Sequence, residues 1–236
     1  MLAPWNLRDN ELLGALPAPE LERLAAALEP VEMPLGKVLY EPGERRRHVY
    51  FPSTSIVSLL YVTREGASAE VAVVGREGFL GVSQLTGGES MPNRAVVHGA
   101  GHGYRLSSRA LRAELSHSGA LMRLMLRFTQ ALITQMMQTA VCNRHHSLAQ
   151  QFCRWLLLSL DRQDGNGLAM TQEMIANMLG VRRAGVARAA GDLQRAGVIR
   201  YRRGRISVLD RSRMECTACE CYAVVRKEYL RLLAQG

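Results

Sequence analysis

The chain has 236 residues, 47% of them hydrophobic and 22% charged, with a formal net charge of +9. That length holds two domains with real cores, and the apolar content is ordinary for a globular protein. The charge is uneven: residues 1–142 carry 14 Lys+Arg against 13 Asp+Glu (net +1), and residues 143–236 carry 16 against 8 (net +8), so a nearly neutral first part excludes an anionic partner spread along the whole chain and points to one at the last third.

In chain order, the opening "MLAPWNLRDNELLGAL" has no basic segment leading into a long apolar run, so no signal peptide is read there and a cytoplasmic protein is expected. A helical pattern follows in "PAPELERLAAALEPV", where Leu21, Leu24, Ala25 and Leu28 share one face. From Val31 to about Leu106 short β-branched or apolar runs alternate with Gly, Pro and Asn turns: "KVLYEPGE", "HVYFP", "SIVSLLYVT", "AEVAVVG", "RAVVHGAG" and "HGYRLS". Many short strands at regular spacing predict an antiparallel sandwich, barrel or jelly roll.

Helix returns from Ser107. Leu121, Met125, Phe128, Leu132 and Met136 recur at spacings of 4, 3, 4 and 4, widened by Leu124 and Ala131, along a helix of about 25 residues. The stripe is read as a homodimer interface; a wholly intramolecular core helix would carry the same stripe. Residues 119–141 are the most apolar long stretch, yet Arg123, Arg127, Gln130, Gln135 and Gln138 make them too polar to span a bilayer, and no membrane partner is expected. A further helix, "LAQQFCRWLLLSLD", ends in the turn "RQDGNG".

Then comes "MTQEMIANMLGVRRAGVARAAGDLQRAGVIRYRRGRISVLD". Thr171 is a good N-cap for a short helix through Leu179. Gly180 breaks that helix, and a second runs from about Arg182 to Ala196. Ala176 allows close helix contact, Gly180 turns the chain, and Val186 fills the core between the two, which is a helix-turn-helix layout. At 100° per residue Val186, Ala189, Ala190 and Leu193 form a buried face of the second helix. Ala184, Ala187, Arg188, Gly191 and Arg195 lie opposite. Small residues there let the helix axis sink into a major groove, and the arginines can then reach phosphates or guanine edges. Arg182 and Arg183 sit at the helix N-terminus, where the dipole adds attraction for phosphate. The segment "VIRYRRGRISVL" reads as two strands about Arg203-Gly204, with Arg200, Arg202, Arg203 and Arg205 outward: a wing over a DNA backbone.

With these elements in place, nearly the whole chain resembles a Crp/Fnr-type transcription regulator. The resemblance is most specific in "TQEMIANMLGVRRAGVARAAGDLQRAGVIRYRRGRI", and extends to "GKVLYEPGE" with "VYFP". It implies an α+β fold: an N-terminal antiparallel β-roll (a jelly roll) of cyclic-nucleotide-binding type over 1–117, a long dimerisation helix and hinge over 118–143, and a winged helix-turn-helix DNA-binding domain over 144–236. It implies a bacterial homodimer on a two-fold-related operator in double-stranded DNA, acting with RNA polymerase. In that family the first arginine of the recognition helix and the arginine five residues later read the operator, here Arg183 and Arg188. Gln172 matches a phosphate-contacting position beside Thr171. Ala184 stands where the family often has a base-reading Glu, and Arg182 where it has a Ser or Thr cap, so the family's usual half-site is not carried over. The DNA-binding set is therefore Thr171, Gln172, Arg182, Arg183, Ala184, Ala187, Arg188, Arg202, Arg203 and Arg205.

Cyclic-nucleotide binders of the family use a Gly-Glu and then an Arg-Ser, with Glu on the ribose hydroxyl and Arg on the phosphate. The corresponding stretch here is "FLGVSQLTGGESMPNRAVV". Gly81 is followed by Val82, and Arg94 by Ala95. The resemblance thus places an effector pocket at Gly81, Val82, Ser83, Asn93, Arg94 and Ala95. Tight cyclic AMP binding is not expected, because the ribose loses its acceptor at a cost on the order of 1–3 kcal/mol. The effector stays unknown; Arg94 holds another anion, or is a structural ion pair, or is simply exposed.

The five cysteines are Cys142, Cys153, Cys216, Cys219 and Cys221, an odd set that reads as reduced thiols. "CTACECY" reads as a packed C-terminal helix on which Cys216 and Cys219 share a face and Cys221 points elsewhere. His145 and His146 adjoin Cys142 at the hinge, but neighbours on a helix point apart, so no metal site is assigned. The family's oxygen sensors carry an N-terminal cysteine cluster; no cysteine precedes Cys142, so no iron–sulfur cluster is expected. The alternative is a redox- or metal-responsive regulator using Cys216, Cys219 and Cys221, or a bound haem. No Cys–His–acid spacing supports a nucleophile, so the chain is not read as an enzyme.

Overall fold

The structure is a computed structural model that describes residues 5–117 and 119–233. The extreme start of the opening segment and the boundary expected at 117/118 fall outside the described residues. A 3-10 turn (Leu7–Asp9), α1 (Glu11–Gly14) and α2 (Ala18–Ala25) lead into the sheets. Asn10 fixes this entry: its side chain caps α1 at Leu13 N–H and donates to the Pro52 and Gly78 carbonyls, at 2.7 and 2.9 Å. On α2, Leu21 and Leu24 are buried but Ala25 is exposed, because the helix stops there and Leu28 turns in afterwards.

The β-roll is antiparallel throughout. β1 (Glu29–Met33), β7 (Gly101–Ser107) and β3 (His48–Pro52) form one sheet in the order β1-β7-β3. β2 (Val38–Tyr40), β6 (Arg94–Gly99), β4 (Ile56–Val62) and β5 (Ser68–Val74) form the other, β2-β6-β4-β5. β1 begins at Glu29, before the predicted strand region. β4 is buried on both faces from Ile56 to Leu60, so it lacks the alternation of a half-exposed strand.

α3 (Ser108–His117) precedes the 27-residue α4 (Gly119–His145), which runs two residues past the expected hinge. α5 (Leu148–Leu160) restarts the chain through a capping box in which Ser147 and Gln150 satisfy each other's backbone N–H groups. β8 (Gly167–Ala169), unforeseen in the sequence, joins β10 (Arg205–Val208) and β9 (Ile199–Arg202) in a small sheet ordered β8-β10-β9. Between them lie α6 (Gln172–Leu179) and α7 (Arg183–Arg195); α8 (Arg211–Thr217) and α9 (Glu220–Leu233) follow. Among the described residues no helix is long and apolar enough to cross a membrane.

The long helix corrects the expected dimer stripe. Leu121, Met125, Phe128 and Leu132 are at most 4% exposed within one chain. They turn inward because α9 and the β-roll pack on that side; Phe128 meets Phe79 at 5.3 Å and Tyr229 at 6.2 Å between ring centroids. Met136 is half-buried. The large apolar residues that α4 leaves exposed are Leu126, Ile133, Met137 and Val141, each at 48–56%. Their spacings of 7, 4 and 4 make a second stripe.

One polar chain crosses the core. The Ser58 hydroxyl lies 2.5 Å from both Glu70 Oε2 and His98 Nδ1, and the His98 ring packs 5.9 Å from Trp155. Burial pushes Glu70 up to about 7 and His98 down to about 3. As pH rises from the usual carboxylate value, the folded chain keeps a proton on Glu70 that the unfolded chain has lost, so stability falls. As pH drops below the usual imidazole value, the unfolded chain protonates His98 and the folded chain does not, so stability falls in the other direction. The opposing slopes overlap between 4.5 and 6.5. Glu70→Gln removes one of them. Relative to the parent, its stability is expected to rise with pH across that window at up to ~1.4 kcal/mol per unit. Urea unfolding at several pH values checks this, and parallel profiles for the two chains would refute it.

Candidate nucleic-acid interface and effector cavity

Thr171 caps α6, its hydroxyl accepting from Met174 N–H at 3.2 Å. Gly180 ends α6 at φ 65°, a left-handed conformation that glycine takes without strain, and Val181 N–H closes the turn on the Ala176 carbonyl at 3.0 Å. Val186, Ala189, Ala190 and Leu193 are the buried residues of α7. Arg182 is the N-cap of α7 and makes no side-chain cap bond to the first N–H groups. Ala184 and Arg188 are exposed and Ala187 half-buried. Gly185 marks a close approach: a Cβ there would lie 2.8 Å from Leu148 Cδ2 of α5.

The wing is stitched to this helix. Gln194 accepts from Tyr201 N–H at 2.7 Å, Tyr201 donates its hydroxyl to the Met170 carbonyl at 2.8 Å, and Arg213 donates to the Ala196 carbonyl at 2.7 Å. Thr171, Gln172, Glu173, Arg183, Tyr201, Arg202, Arg203 and Gly204 line one surface groove between α6, α7 and the wing. The single acid among them is Glu173. Among the described residues the ion pairs nearby are Arg195–Asp192, Arg211–Asp161 and Arg211–Glu215, so Arg182, Arg183, Arg188, Arg202, Arg203 and Arg205 carry no carboxylate partner. These six exposed side chains are open to an external anion.

Arg203 is the one described non-glycine residue with positive φ, at 50°, followed by Gly204 at 71°. Arg202 pairs with Arg205, so the two form the tight two-residue turn that demands positive φ at both positions. Holding Arg there costs roughly 1 kcal/mol or more. Arg203→Asn suits the turn and deletes the charge. It is expected to leave melting temperature unchanged or higher, while weakening binding to every duplex alike and lowering the salt slope by about 1. A loss confined to one sequence, by fluorescence anisotropy, would contradict the wing's backbone role.

A cavity of about 390 Å³ opens between the β-roll and α4. Gly81, Val82, Ser83 and Asn93 line it, with Thr129, Leu132, Ile133 and Met136 of α4 as one wall. Arg94 and Ala95 do not line it. Arg94 is ion-paired to Glu41 at 2.7 Å, and Ala95 is fully buried in β6. The cation that does enter the cavity is Arg46, absent from the sequence reading. It is 6% exposed, stacks 3.6 Å over the Tyr40 ring and lies 3.5 Å from Asn93 Oδ1. Its Nε and the Ser83 hydroxyl are buried without partners. No carboxylate lines the cavity. The signal for Arg46 in the sequence is the run "GERRRHVYF", in which the strand start turns one arginine of three inward.

The C-terminal thiols depart from the single helix expected for "CTACECY". α8 stops at Thr217, and Ala218 is extended, so Cys216 is exposed while Cys219 and Cys221 swing inward. They meet Cys142 and His146 instead. Burial pushes Cys142 up to about 11 and Cys153 and Cys221 up to about 12, so none is an activated nucleophile. The missed signal was the i,i+4 pair Cys142 and His146.

Residues 150–217 match a family model described as the Crp-like helix-turn-helix domain. No curated protein matches the chain. Among solved structures, a Crp/Fnr-family regulator from Eubacterium rectale is similar over 89% of this chain and 98% of its own, at 16% identity and TM-score 0.69. A Crp/Fnr-family regulator from Thermus thermophilus is similar over 80% of this chain and 98% of its own, at 22% identity and TM-score 0.64. The c-di-GMP-responsive regulator CLP of Xanthomonas campestris covers 81% of this chain and 99% of its own, at 14% identity and TM-score 0.65. Residues 150–217 are thus similar to the Crp-like helix-turn-helix domain, and the chain as a whole has the fold seen in solved Crp/Fnr-family regulators.

Proposed function

We propose that the chain is a cytoplasmic homodimeric DNA-binding regulator that reads a two-fold-related operator and acts on transcription through RNA polymerase. The observation that carries this is the set of six exposed, unpaired arginines on the recognition helix and wing. Arg183 and Arg188 are the base readers, Ala184 and Ala187 let α7 sink into the groove, and Thr171, Gln172, Arg182, Arg202, Arg203 and Arg205 hold phosphates. Residues 1–117 are the effector unit, the long helix joins two copies, and residues from the hinge onward bind DNA.

The dimer seam is the exposed stripe Leu126, Ile133, Met137 and Val141. A second copy of the same helix is its natural cover, since a two-fold axis along the helix pairs the stripe with itself. Ile133 belongs to that stripe and also walls the cavity. A ligand in the cavity therefore touches the element that sets the spacing of the recognition helices. The unpartnered Arg46 Nε and Ser83 hydroxyl point to a small anion as effector. With no carboxylate to accept a ribose hydroxyl, cyclic AMP is expected to give no low-micromolar binding by calorimetry; such binding would overturn this account of the pocket. The experiment for the function is operator selection from random duplexes, taken up below.

A further inference from the structure

Cys142 and His146 lie at the end of α4, and Cys219 and Cys221 flank the start of α9. Their Sγ and imidazole nitrogen atoms all fall within 4.8 Å of one another. The three sulfurs form a buried cluster of their own, separate from the main core. Cys142 Sγ is 3.5 Å from Cys219 Sγ, and Cys221 Sγ is 3.6 Å from His146 Nδ1. A tetrahedron with Zn–S of about 2.3 Å and Zn–N of about 2.0 Å has edges of about 3.8 Å between sulfurs and 3.5 Å from sulfur to nitrogen. The two measured separations match those edges within a few tenths of an ångström.

We propose that Cys142, His146, Cys219 and Cys221 bind one zinc ion in a closed Cys3His site that ties the end of the long helix to the start of the last helix. Four protein ligands leave no open position, which is the arrangement of structural zinc rather than catalytic zinc. Binding replaces three thiol protons by the metal and releases them to solvent, with neutral His146 as the fourth ligand. The surroundings fit this load. His146 turns its Nε2 to within 3.3 Å of Glu220 Oε1, which orients the ring so that Nδ1 faces the sulfurs. Three thiolates and a divalent ion leave one negative charge, and a buried cation stands beside it. Arg154 is 4% exposed, and its Nε has no partner.

The site spans the turn at His146-Ser147 where α4 gives way to α5. Zinc there fixes the angle between the helix that joins the copies and the unit that carries α7. Bound zinc does not depend on DNA binding, so the two readings fail separately. The test is metal analysis of the full chain purified under reducing conditions without chelator. Close to one zinc per chain is expected, falling to a small fraction in Cys142→Ser and Cys221→Ser and persisting in Cys216→Ser. Should the first two variants not fold, the parent decides: chain stripped of metal and titrated with Co(II) is expected to give the intense visible bands of tetrahedral, thiolate-bound cobalt, saturating at one equivalent. Absence of stoichiometric zinc together with a weak octahedral cobalt spectrum would overturn the site. So would equal loss of zinc in Cys216→Ser, or a Cys142–Cys219 disulfide in the reduced protein.

Discussion

Met137→Glu is expected to split the dimer and abolish operator binding. Met137 is 56% exposed in one chain and sits in the middle of the second apolar stripe of α4. Across a two-fold axis one substitution counts twice. Two buried methionines lost at about 1.5–3 kcal/mol each amount to about 3–6 kcal/mol, or a 10²- to 10⁴-fold weaker dimer. The two new carboxylates also face each other. Because the site is exposed in the single chain, the fold of each copy should survive, and circular dichroism should show an unchanged helix signal. Sedimentation velocity at micromolar concentration reads the result. A variant that remains a dimer with unaltered affinity would place the interface elsewhere.

Arg188→Ala is expected to cost about 1–3 kcal/mol on the preferred sequence and to relax base preference there. Arg188 is exposed on the outward face of α7 and free of any described ion pair, so its removal breaks no internal bond. Small neighbours, Ala184 and Ala187, give it access to a base edge. The effect contrasts with that of Arg203 at the wing tip, where the loss should fall evenly on all sequences. Selection with the variant and the parent side by side distinguishes the two. Equal loss on preferred and random duplexes would make Arg188 a phosphate contact.

Local patterns of the fold were legible where one residue type has one physical use. Short apolar runs broken by Gly and Pro marked an antiparallel β region, and the Thr171, Gly180 and Val186 spacing marked the helix-turn-helix, because caps, left-handed turns and small contact residues are local demands. The exposed stripe proposed as the dimer seam was not legible, because α4 carries two apolar faces and the stronger one serves its own core. Periodicity reports that a face is buried and says nothing of what buries it. Arg94 and Arg46 illustrate the same limit in the cavity: both are arginines near strand starts, and only the folded chain shows that one faces Glu41 and the other the interior. The zinc ligands were hidden differently. Cys142 and Cys219 are 77 positions apart, and the break at Ala218 that brings them together has no strong marker in "CTACECY".

The most direct measurement of the central claim is selection of binding sites from a random duplex library by the purified protein. The account predicts an enriched pair of inverted half-sites about 10–10.5 base pairs apart, centre to centre. Affinity for it should fall steeply with salt, as expected when several arginines meet phosphates. Retention of the library without any enriched, two-fold-related sequence, or no retention at low salt, would contradict it.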